Sequence, residues 1–197
     1  MQTPVLILAF NRPDRVRALI DRLREVAPSR VFLAVDGPRA NRDTDARLVE
    51  QTRQCAEVID WPCEVQILFQ EQNLGCGRGV STAITWFFEQ VPEGIILEDD
   101  VLPRIEFFSY CTELLDRYRD DPRVFAISGS NFVPPERIST DGSYRFTHIT
   151  HVWGWATWRR SWNQYRFDIR DWRRRLPTRQ RWRATGGNLR DFAYWSA

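Results

Sequence analysis

The 197-residue sequence contains no lysine, and all 28 of its basic residues are arginines. We interpret this bias as the codon usage of a GC-rich genome, although arginine is also well suited to binding phosphate. Without lysine the chain cannot form the Gly-Lys-Ser/Thr loop of P-loop proteins, and no GxGxxG motif follows its first predicted strand. Two common phosphate-binding motifs are therefore excluded.

Cysteine and histidine are also scarce, with four and two residues respectively. They contain no CxxC pair and no zinc-site spacing. Four thiols in a chain of this length do not indicate a disulfide scaffold, so we expect a reducing cytoplasm. We interpret both histidines as structural residues near an aromatic cluster. The residues are Cys55, Cys63, Cys76, Cys111, His148 and His151.

The chain opens with a short apolar run over residues 5–10, which ends at Asn11-Arg12-Pro13. This run is too short for a signal peptide or a transmembrane helix. The composition, with 43% hydrophobic and 27% charged residues, is ordinary for a soluble globular chain. We therefore expect a single cytoplasmic domain over residues 1–197.

Charge is distributed unevenly, although the formal net charge is only +2. Residues 1–150 contain 17 arginines and 23 acidic residues, whereas residues 151–197 contain 11 arginines and 3 aspartates. A basic, tryptophan-rich tail could contact an anionic substrate, a membrane surface or nucleic acid. We interpret Arg173-Arg174-Arg175 as a solvated face, with contact to an anionic membrane surface as the alternative.

Strand-like and helix-like segments alternate over the first 130 residues. Apolar runs predict the strands, and apolar residues at helical spacing predict the helices between them. This alternation predicts an α/β fold with a mostly parallel central sheet and helices on both faces. After a loop over 131–143, the pattern changes to short aromatic segments and then to Trp/Arg-rich helical pieces. The predicted strands are 5–10, 31–35, 65–69, 95–97 and 124–128.

Three carboxylates, Glu98, Asp99 and Asp100, directly follow the buried apolar run 95–97. They should lie at the carboxyl end of a strand, where open α/β sheets bind ligands. Because side chains alternate along a strand, we expect Glu98 and Asp100 on one face and Asp99 on the other. Adjacent carboxylates repel one another unless a cation lies among them, and their oxygens suit Mg²⁺ or Mn²⁺ with phosphate completing the shell. A solvated acidic loop is the alternative.

Polar residues also end two other predicted strands, and a glycine-rich loop follows a third. In a parallel sheet these groups and the acidic triplet would meet at one edge. Each has a simpler explanation, since Arg12 could cap a loop, Asp36 could serve a turn, and the glycines could only permit tight turns. The groups are Asn11-Arg12, Asp36-Gly37 and the loop 70–79 with Gly75, Gly77 and Gly79.

Five motifs occur along nearly the whole chain: Pro-Val-Leu-Ile-Leu-Ala-Phe-Asn-Arg at 4–12, Val35-Asp36-Gly37, Asn73-Leu74-Gly75, Glu98-Asp99-Asp100 and His151-Val152-Trp153-Gly154-Trp155-Ala156-Thr157-Trp158. In this order they resemble the motifs of nucleotide-sugar glycosyltransferases with the GT-A fold. The most similar types are the inverting N-acetylglucosaminyltransferase I type and the bacterial hemolysin-like glycosyltransferases.

The resemblance implies metal-dependent sugar transfer with inversion from a nucleotide-diphospho-sugar, with UDP as the expected nucleotide. Asp100 would bind Mn²⁺ or Mg²⁺ on the diphosphate, and contact of His151 with the diphosphate is the alternative to its structural role. Asp36 would hydrogen-bond the uracil, and Trp153-Gly154-Trp155 would lie beneath the donor sugar and the acceptor. The residues expected to contact the donor are Phe10, Asn11, Arg12, Asp36, Asn73, Gly75, Arg78, Glu98, Asp99, Trp153, Gly154 and Trp155.

The resemblance also implies a nucleotide-binding half over 1–130 and the start of an acceptor-side half over 131–197. Relatives carry their expected base, an aspartate in a Trp-Asp segment, further along the chain. Asp168, Asp171 and Asp191 lie in no matching context here. We therefore expect a truncated domain, identify no catalytic residue within it, and expect donor binding with weak or no turnover.

The expected partners are the donor and a carbohydrate or lipid-linked acceptor, with peripheral contact to the inner face of a membrane through the Arg-rich tail. A sugar nucleotidyltransferase is one alternative, but such enzymes typically have a Gly- and Lys/Arg-rich loop where this chain has Asn11-Arg12-Pro13-Asp14. A non-catalytic polyanion or nucleic-acid binder is another, because arginine interleaved with aromatics is typical of single-strand binders. The acidic first 150 residues and the lack of a nucleic-acid motif argue against it.

Overall fold

A computed structural model of the protein describes residues 1–132, 142–148, 150–171, 178–184, 187 and 189. The chain divides into two compact units. The first contains Met1–Asn131 and His151–Tyr165, and the second contains Phe132–Thr150 and Arg166–Ala197. The Trp-Gly-Trp segment at 153–155 therefore belongs to the same unit as the acidic triplet.

Strands and helices alternate along the first unit, as far as residue 117. The strands are β1 (Val5–Ala9), β2 (Arg30–Val35), β3 (Glu64–Phe69), β4 (Glu93–Glu98), β5 (Ala126–Ser128) and β6 (Trp155–Trp158). The helices are α1 (Pro13–Val26), α2 (Asp43–Arg53), α3 (Gly75–Gln90), α4 (Ile105–Arg117) and α5 (Arg159–Trp162), and a short 3-10 helix, Gln54–Val58, follows α2.

The strands form one six-stranded sheet in the order β3-β2-β1-β4-β6-β5. β3, β2, β1 and β4 are parallel, whereas β6 is antiparallel to both of its neighbours. β1 lies at the centre, where Ile7 is level with Leu33 of β2 and with Leu97 of β4. The predicted α/β class with a mostly parallel sheet and flanking helices is confirmed.

Helices cover both faces of the sheet. On one face Phe87 and Phe88 of α3 pack against Leu6, Phe32 and Ile96, which occupy level positions of β1, β2 and β4. The crossovers through α1 and α3 run in opposite directions along the sheet, so their right-handed sense places these helices on opposite faces. Strand order consequently reverses between β1 and β4, which makes that boundary the topological switch point.

The start of α3 differs from the sequence prediction. A loop was predicted as far as Gly79, but the helix begins at Gly75, so that prediction is wrong over residues 75–79. Gly75 itself has a φ of +74°, which favours glycine. Three glycines within five residues lower helix propensity. The local sequence therefore does not predict this first turn of α3, which tertiary contacts stabilise.

Strand β6 is also absent from the sequence prediction, which expects helical pieces after Trp153. All four residues of β6 are buried, and the strand lies between β4 and β5. Trp158 is a core residue, and its Nε1 donates to the Leu115 carbonyl at 3.2 Å. A four-residue strand buried on both sides shows no periodicity that sequence reasoning can detect.

The second unit is described over fewer residues. It contains a helix, α6 (Thr178–Ala184), an edge-to-face contact between Tyr144 and Phe146, and an ion pair between Asp168 and Arg170. The predictions for Arg173-Arg174-Arg175 and Asp191 concern residues outside the described part of the chain.

The described residues of both units also bear on membrane insertion and on disulfide bonding. None of the helices described is long and apolar enough to span a membrane. The four cysteines are free thiols, in agreement with the expectation that they form no disulfide scaffold.

Gly94→Ala should destabilise the fold. A Cβ at this position of β4 would lie 2.4 Å from Phe87 Cζ and 2.9 Å from the Pro4 carbonyl oxygen. Overpacking of this kind should lower the free energy of unfolding by about 1–3 kcal/mol, measured by urea denaturation. Gly142→Ala is the control, because the nearest described atom to its Cβ would be the Tyr144 carbonyl oxygen, at 3.5 Å. Unchanged stability of Gly94→Ala would show that Phe87 is free to move away from β4.

Candidate functional site

The carboxyl ends of β1, β2 and β4 lie side by side at one edge of the sheet. The Asp36 N–H donates to the Ala9 carbonyl and the Asp99 N–H donates to the Leu8 carbonyl, both at 2.9 Å. Neighbouring strands are about 4.8 Å apart, so the backbones of Asp36 and Asp99, on either side of β1, are separated by about 10 Å. The parallel sheet thus brings the predicted groups to one edge, at its topological switch point.

Arg12 lies among the carboxylates of the acidic triplet. Its Nη1 donates to Asp99 Oδ1 at 2.9 Å and to Asp100 Oδ2 at 3.1 Å. The other oxygen of Asp99 accepts from the Phe10 N–H at 3.3 Å. The loop after β1 is therefore bound to the end of β4 across the switch point. The Arg12 guanidinium also offsets the repulsion between the neighbouring carboxylates.

The three carboxylates do not divide between the faces as predicted. Asp99 and Asp100 share Arg12, whereas the sequence analysis groups Glu98 with Asp100. β4 ends at Glu98, where the Val101 N–H donates to the Glu98 carbonyl at 3.0 Å and closes a turn. Alternation holds only in extended chain, so the turn brings Asp100 to Arg12 and leaves Glu98 on the face covered by α3.

Asp99 and Asp100 differ in their surroundings. The Asp99 side chain is 9% exposed and that of Asp100 is 52% exposed. Burial raises the pKa of Asp99 above its usual value, and the positive charge of Arg12 opposes that shift. The Asp99 charge in turn raises the pKa of Arg12. Asp99 is therefore the inner, structural partner of Arg12, and Asp100 is the outer carboxylate.

Glu98 is the carboxylate of the acidic triplet with the fewest favourable contacts. Burial raises its pKa, and the negative charges of Asp100 and Asp99 raise it further. Within the described residues, its carboxylate forms no hydrogen bond and no ion pair. A half-buried acid with a raised pKa beside other charges is typical of functional sites, because a ligand can supply what the protein does not.

The oxygen atoms at this edge suit a hard divalent cation. Glu98 and Asp100 Oδ1 accept no hydrogen bond from any described residue, and carboxylate oxygens are the ligands Mg²⁺ and Mn²⁺ prefer. In the described part of the chain, no group of three or more histidine, cysteine or acidic side chains is arranged to hold a metal. A cation here would be held by one or two carboxylates, with water and phosphate in the other positions, as is usual for Mg²⁺.

The Asp36 carboxylate holds the start of α3. Its Oδ1 accepts from the N–H groups of Gly37 and Leu74, both at 2.9 Å. Its Oδ2 accepts from Asn73 Nδ2 and from the Gly75 N–H, both at 3.0 Å. A carboxylate has about four acceptor sites, and four donors fill them here. Asp36, Asn73 and Gly75, all predicted to contact the nucleotide, thus form one hydrogen-bonded wall of the edge.

A buried aspartate missed by the sequence analysis, Asp45, joins the loops after β1 and β2. It is 1% exposed and accepts from Asn11 Nδ2 at 2.9 Å and from Arg39 Nε at 2.6 Å and Nη2 at 3.0 Å. The bonds from Arg39 lower the pKa of Asp45 to about 2. Acidic residues are common in the first turn of a helix, so nothing in the sequence distinguishes Asp45 from Asp43.

The Trp-Gly-Trp segment packs behind the turn that follows the acidic triplet. Gly154 has a φ of +69°, and a Cβ there would lie 3.3 Å from Val101 Cγ1. Trp155 is 8% exposed and packs in the core beneath α3, whereas Trp153 is 62% exposed. Of the two tryptophans predicted to contact the donor, only Trp153 presents an exposed ring.

The remaining predicted residues complete this arrangement. Phe10, Asn11 and Arg12 form the first loop, which Asp99, Asp100 and Asp45 hold, and a second hydrogen-bonded group surrounds Asp36. Arg78 is exposed in the first turn of α3. The donor-binding roles of all these residues stay predictions.

No protein-family model matches this chain, and a search of curated proteins found no significant match. We therefore infer its function from the geometry of the sheet edge and from the motifs that lie there.

Glu98→Gln should stabilise the unliganded protein at neutral pH. A carboxyl whose pKa is raised in the folded state costs stability once it ionises, at pH values above its unfolded pKa of about 4.3. The gain should therefore be largest at pH 7 and disappear as the pH falls below 4, measured by denaturation across that range. Glu71→Gln, at an exposed loop position, is the control. Lower stability of Glu98→Gln at pH 7 would mean that the ionised carboxylate has a stabilising partner.

Asp36→Asn should destabilise the fold, because an amide group would replace one acceptor oxygen among four N–H donors. These donors are part-buried or exposed, so we expect the low end of the cost of an unpaired donor, about 1 kcal/mol, and urea denaturation measures the change. Asp120→Asn, at an exposed position beyond α4, is the matched control. Equal stability of the two variants would show that the start of α3 does not depend on Asp36.

Proposed function

We propose that this protein binds a nucleotide-diphospho-sugar, with UDP as its nucleotide, at the carboxyl edge of the sheet. We further propose that it is an inverting, divalent-metal-dependent glycosyltransferase of the GT-A fold. The observation that carries the proposal is the position of two carboxylates with unused oxygens. Glu98, with its raised pKa, and Asp100 both lie at the topological switch point, where α/β sheets bind ligands.

The motif resemblance supports the same function. Four of the five motifs end at this edge of the sheet, in the loops that follow β1, β2, β3 and β4. The fifth packs directly behind the turn after the acidic triplet, through Gly154 and Val101. A site assembled from several strand ends explains why motifs so far apart in sequence occur together in one chain.

A diphosphate suits this edge because it needs several positive groups in one place. When bound, a divalent cation would neutralise the charge that develops on the diphosphate leaving group, and Glu98 and Asp100 are the residues that would hold it. Arg12 contributes a guanidinium at the same acids. Arg78 contributes another in the first turn of α3, where the helix dipole also favours an anion.

The sugar side of the site rests on Trp153. A tryptophan ring offers a flat apolar surface to a sugar ring and an N–H for its hydroxyls. The acceptor is a carbohydrate or a lipid-linked saccharide, and the Arg-rich second unit would provide contact with the inner face of a membrane. Inversion requires a base that deprotonates the acceptor hydroxyl. We assign no residue to that role, so the test concerns donor binding.

Thermal denaturation with UDP-, GDP-, CDP- and dTDP-sugars, with and without Mn²⁺, tests the proposal. A ligand that binds only the folded state stabilises it by about 2.7 kcal/mol at 100 times its Kd. We expect a UDP-sugar to raise Tm most, and only with Mn²⁺ present. In Asp100→Asn, a UDP-sugar with Mn²⁺ should no longer raise Tm. In Asp120→Asn, it should raise Tm as in the wild-type protein.

Further ligands, tested in the same way, separate the competing functions. A sugar nucleotidyltransferase would respond to a nucleoside triphosphate and a sugar phosphate rather than to the nucleotide-sugar. A polyanion binder would bind oligonucleotides in a salt-sensitive way that Asp100→Asn leaves unchanged. If no nucleotide-sugar raises Tm under any condition, the proposed function is wrong.

A further inference from the structure

We infer that Arg39 is a specificity-determining residue of the proposed donor site and that its guanidinium recognises carbonyl oxygens of the nucleobase. The inference rests on the proposed function, because it assumes that a nucleoside diphosphate binds at this edge. Arg39 belongs to none of the five motifs, and its role emerges only from the contacts around Asp45.

Arg39 is held in a defined orientation. Its Nε and Nη2 donate to the two oxygens of Asp45 at 2.6 Å and 3.0 Å, and its backbone N–H donates to the same carboxylate at 3.3 Å. A two-point contact between guanidinium and carboxylate sets the plane as well as the position of the group. The guanidinium also lies over the Phe10 ring, 5.2 Å from its centroid. A long, flexible side chain is thereby oriented before any ligand arrives.

Part of this oriented group remains available. The Arg39 side chain is 48% exposed even though its partner Asp45 is 1% exposed. Among the described residues, no atom accepts a hydrogen bond from Arg39 Nη1. Burying a carboxylate is unfavourable unless it is well paired, and here the buried acid holds a guanidinium whose Nη1 donates to no described residue. Such an arrangement suits recognition of a ligand.

The position of Arg39 connects it to the proposed site. The Phe10 ring beneath its guanidinium belongs to the residue whose N–H donates to Asp99. Asn11 donates to Asp45, and the next residue, Arg12, donates to Asp99 and Asp100. Arg39 therefore lies on the β2 side of the loop whose opposite side contacts the acidic triplet. A nucleotide with its diphosphate at the triplet could extend its base towards Arg39.

The charge of Arg39 indicates which part of the ligand it contacts. Asp45 already balances that charge, so Arg39 adds little net attraction for a diphosphate. Guanidinium N–H groups are donors only, and a neutral carbonyl oxygen is a suitable acceptor. Uracil carries two carbonyl oxygens, whereas adenine has none, and its acceptor N7 lies beside a donor amino group that would oppose a guanidinium. The planar guanidinium can also stack on a base. Arg39 should therefore favour UDP over ADP.

Calorimetric titration with UDP, ADP and pyrophosphate, each with Mn²⁺, tests the inference. Pyrophosphate shares the diphosphate but lacks a base. In Arg39→Met we expect UDP binding to weaken about tenfold to hundredfold, the range of a lost hydrogen bond to a charged donor. Pyrophosphate and ADP binding should change by less than about threefold, so the preference for UDP over ADP should largely disappear. Arg42→Met, an exposed arginine in the same loop, is the matched control and should keep the preference.

A second variant separates loss of base recognition from loss of the folded structure. Arg39→Met leaves Asp45 with fewer partners, whereas Arg39→Lys keeps a cation beside Asp45 but lacks the planar fork. Thermal denaturation checks that each variant is folded. Arg39→Lys should also lose the preference for UDP over ADP while it keeps the binding of pyrophosphate.

Three results would overturn the inference and leave the proposed function standing. In the first, the wild-type protein binds UDP no better than ADP. In the second, the folded Arg39 variants keep the preference for UDP. In the third, the Arg39 variants bind UDP and pyrophosphate equally more weakly, which would indicate a general effect on the loop. Failure of the proposed function gives a different result. In that case the wild-type protein binds neither UDP nor pyrophosphate with Mn²⁺, and both proposals are wrong.

Discussion

Parallel pairing of β1 with both β2 and β4 is the constraint on which the rest of the first unit depends. Val5, Leu6 and Ile7 are completely buried, because β1 has strands on both sides and helices on both faces. Their burial sets the register, and the register places Asp36 and Asp99 at the carboxyl edge on either side of β1, one residue out of level with each other. A slip of one residue would turn every side chain of β1 to the opposite face, so apolar packing in the core controls the geometry of a polar edge.

The carboxylates of that edge fall into two classes. Asp36, Asp45 and Asp99 each accept several N–H donors from other loops, and these bonds hold the loops after β1, β2 and β3. Glu98 and Asp100 keep oxygen atoms that no described residue uses. Ionised groups lose solvation on burial and need partners within the protein, so the inner acids become structural and the outer ones remain open to ligands. The proposed chemistry lies with the second class.

Local sequence patterns predict much of this fold because they report burial. Continuous apolar runs identify β1, β2 and β4, and the spacing of Val16, Leu19 and Leu23 identifies α1. The patterns are less informative where tertiary contacts outweigh local preference. The start of α3 is rich in glycine and is helical because Asp36 accepts from its first N–H groups, and β6 is a strand because β4 and β5 pair with it.

The sequence by itself determined the α/β class, the buried central strands and the edge at which the acidic triplet lies. These follow from short-range periodicity, which depends on whether neighbouring side chains are buried. Only the tertiary structure decided which acids are structural and which are open. Arg12 meets Asp99 across 87 positions of sequence, and Asn11 meets Asp45 across 34. Such pairings depend on how strands and loops pack in three dimensions, so no local spacing specifies them.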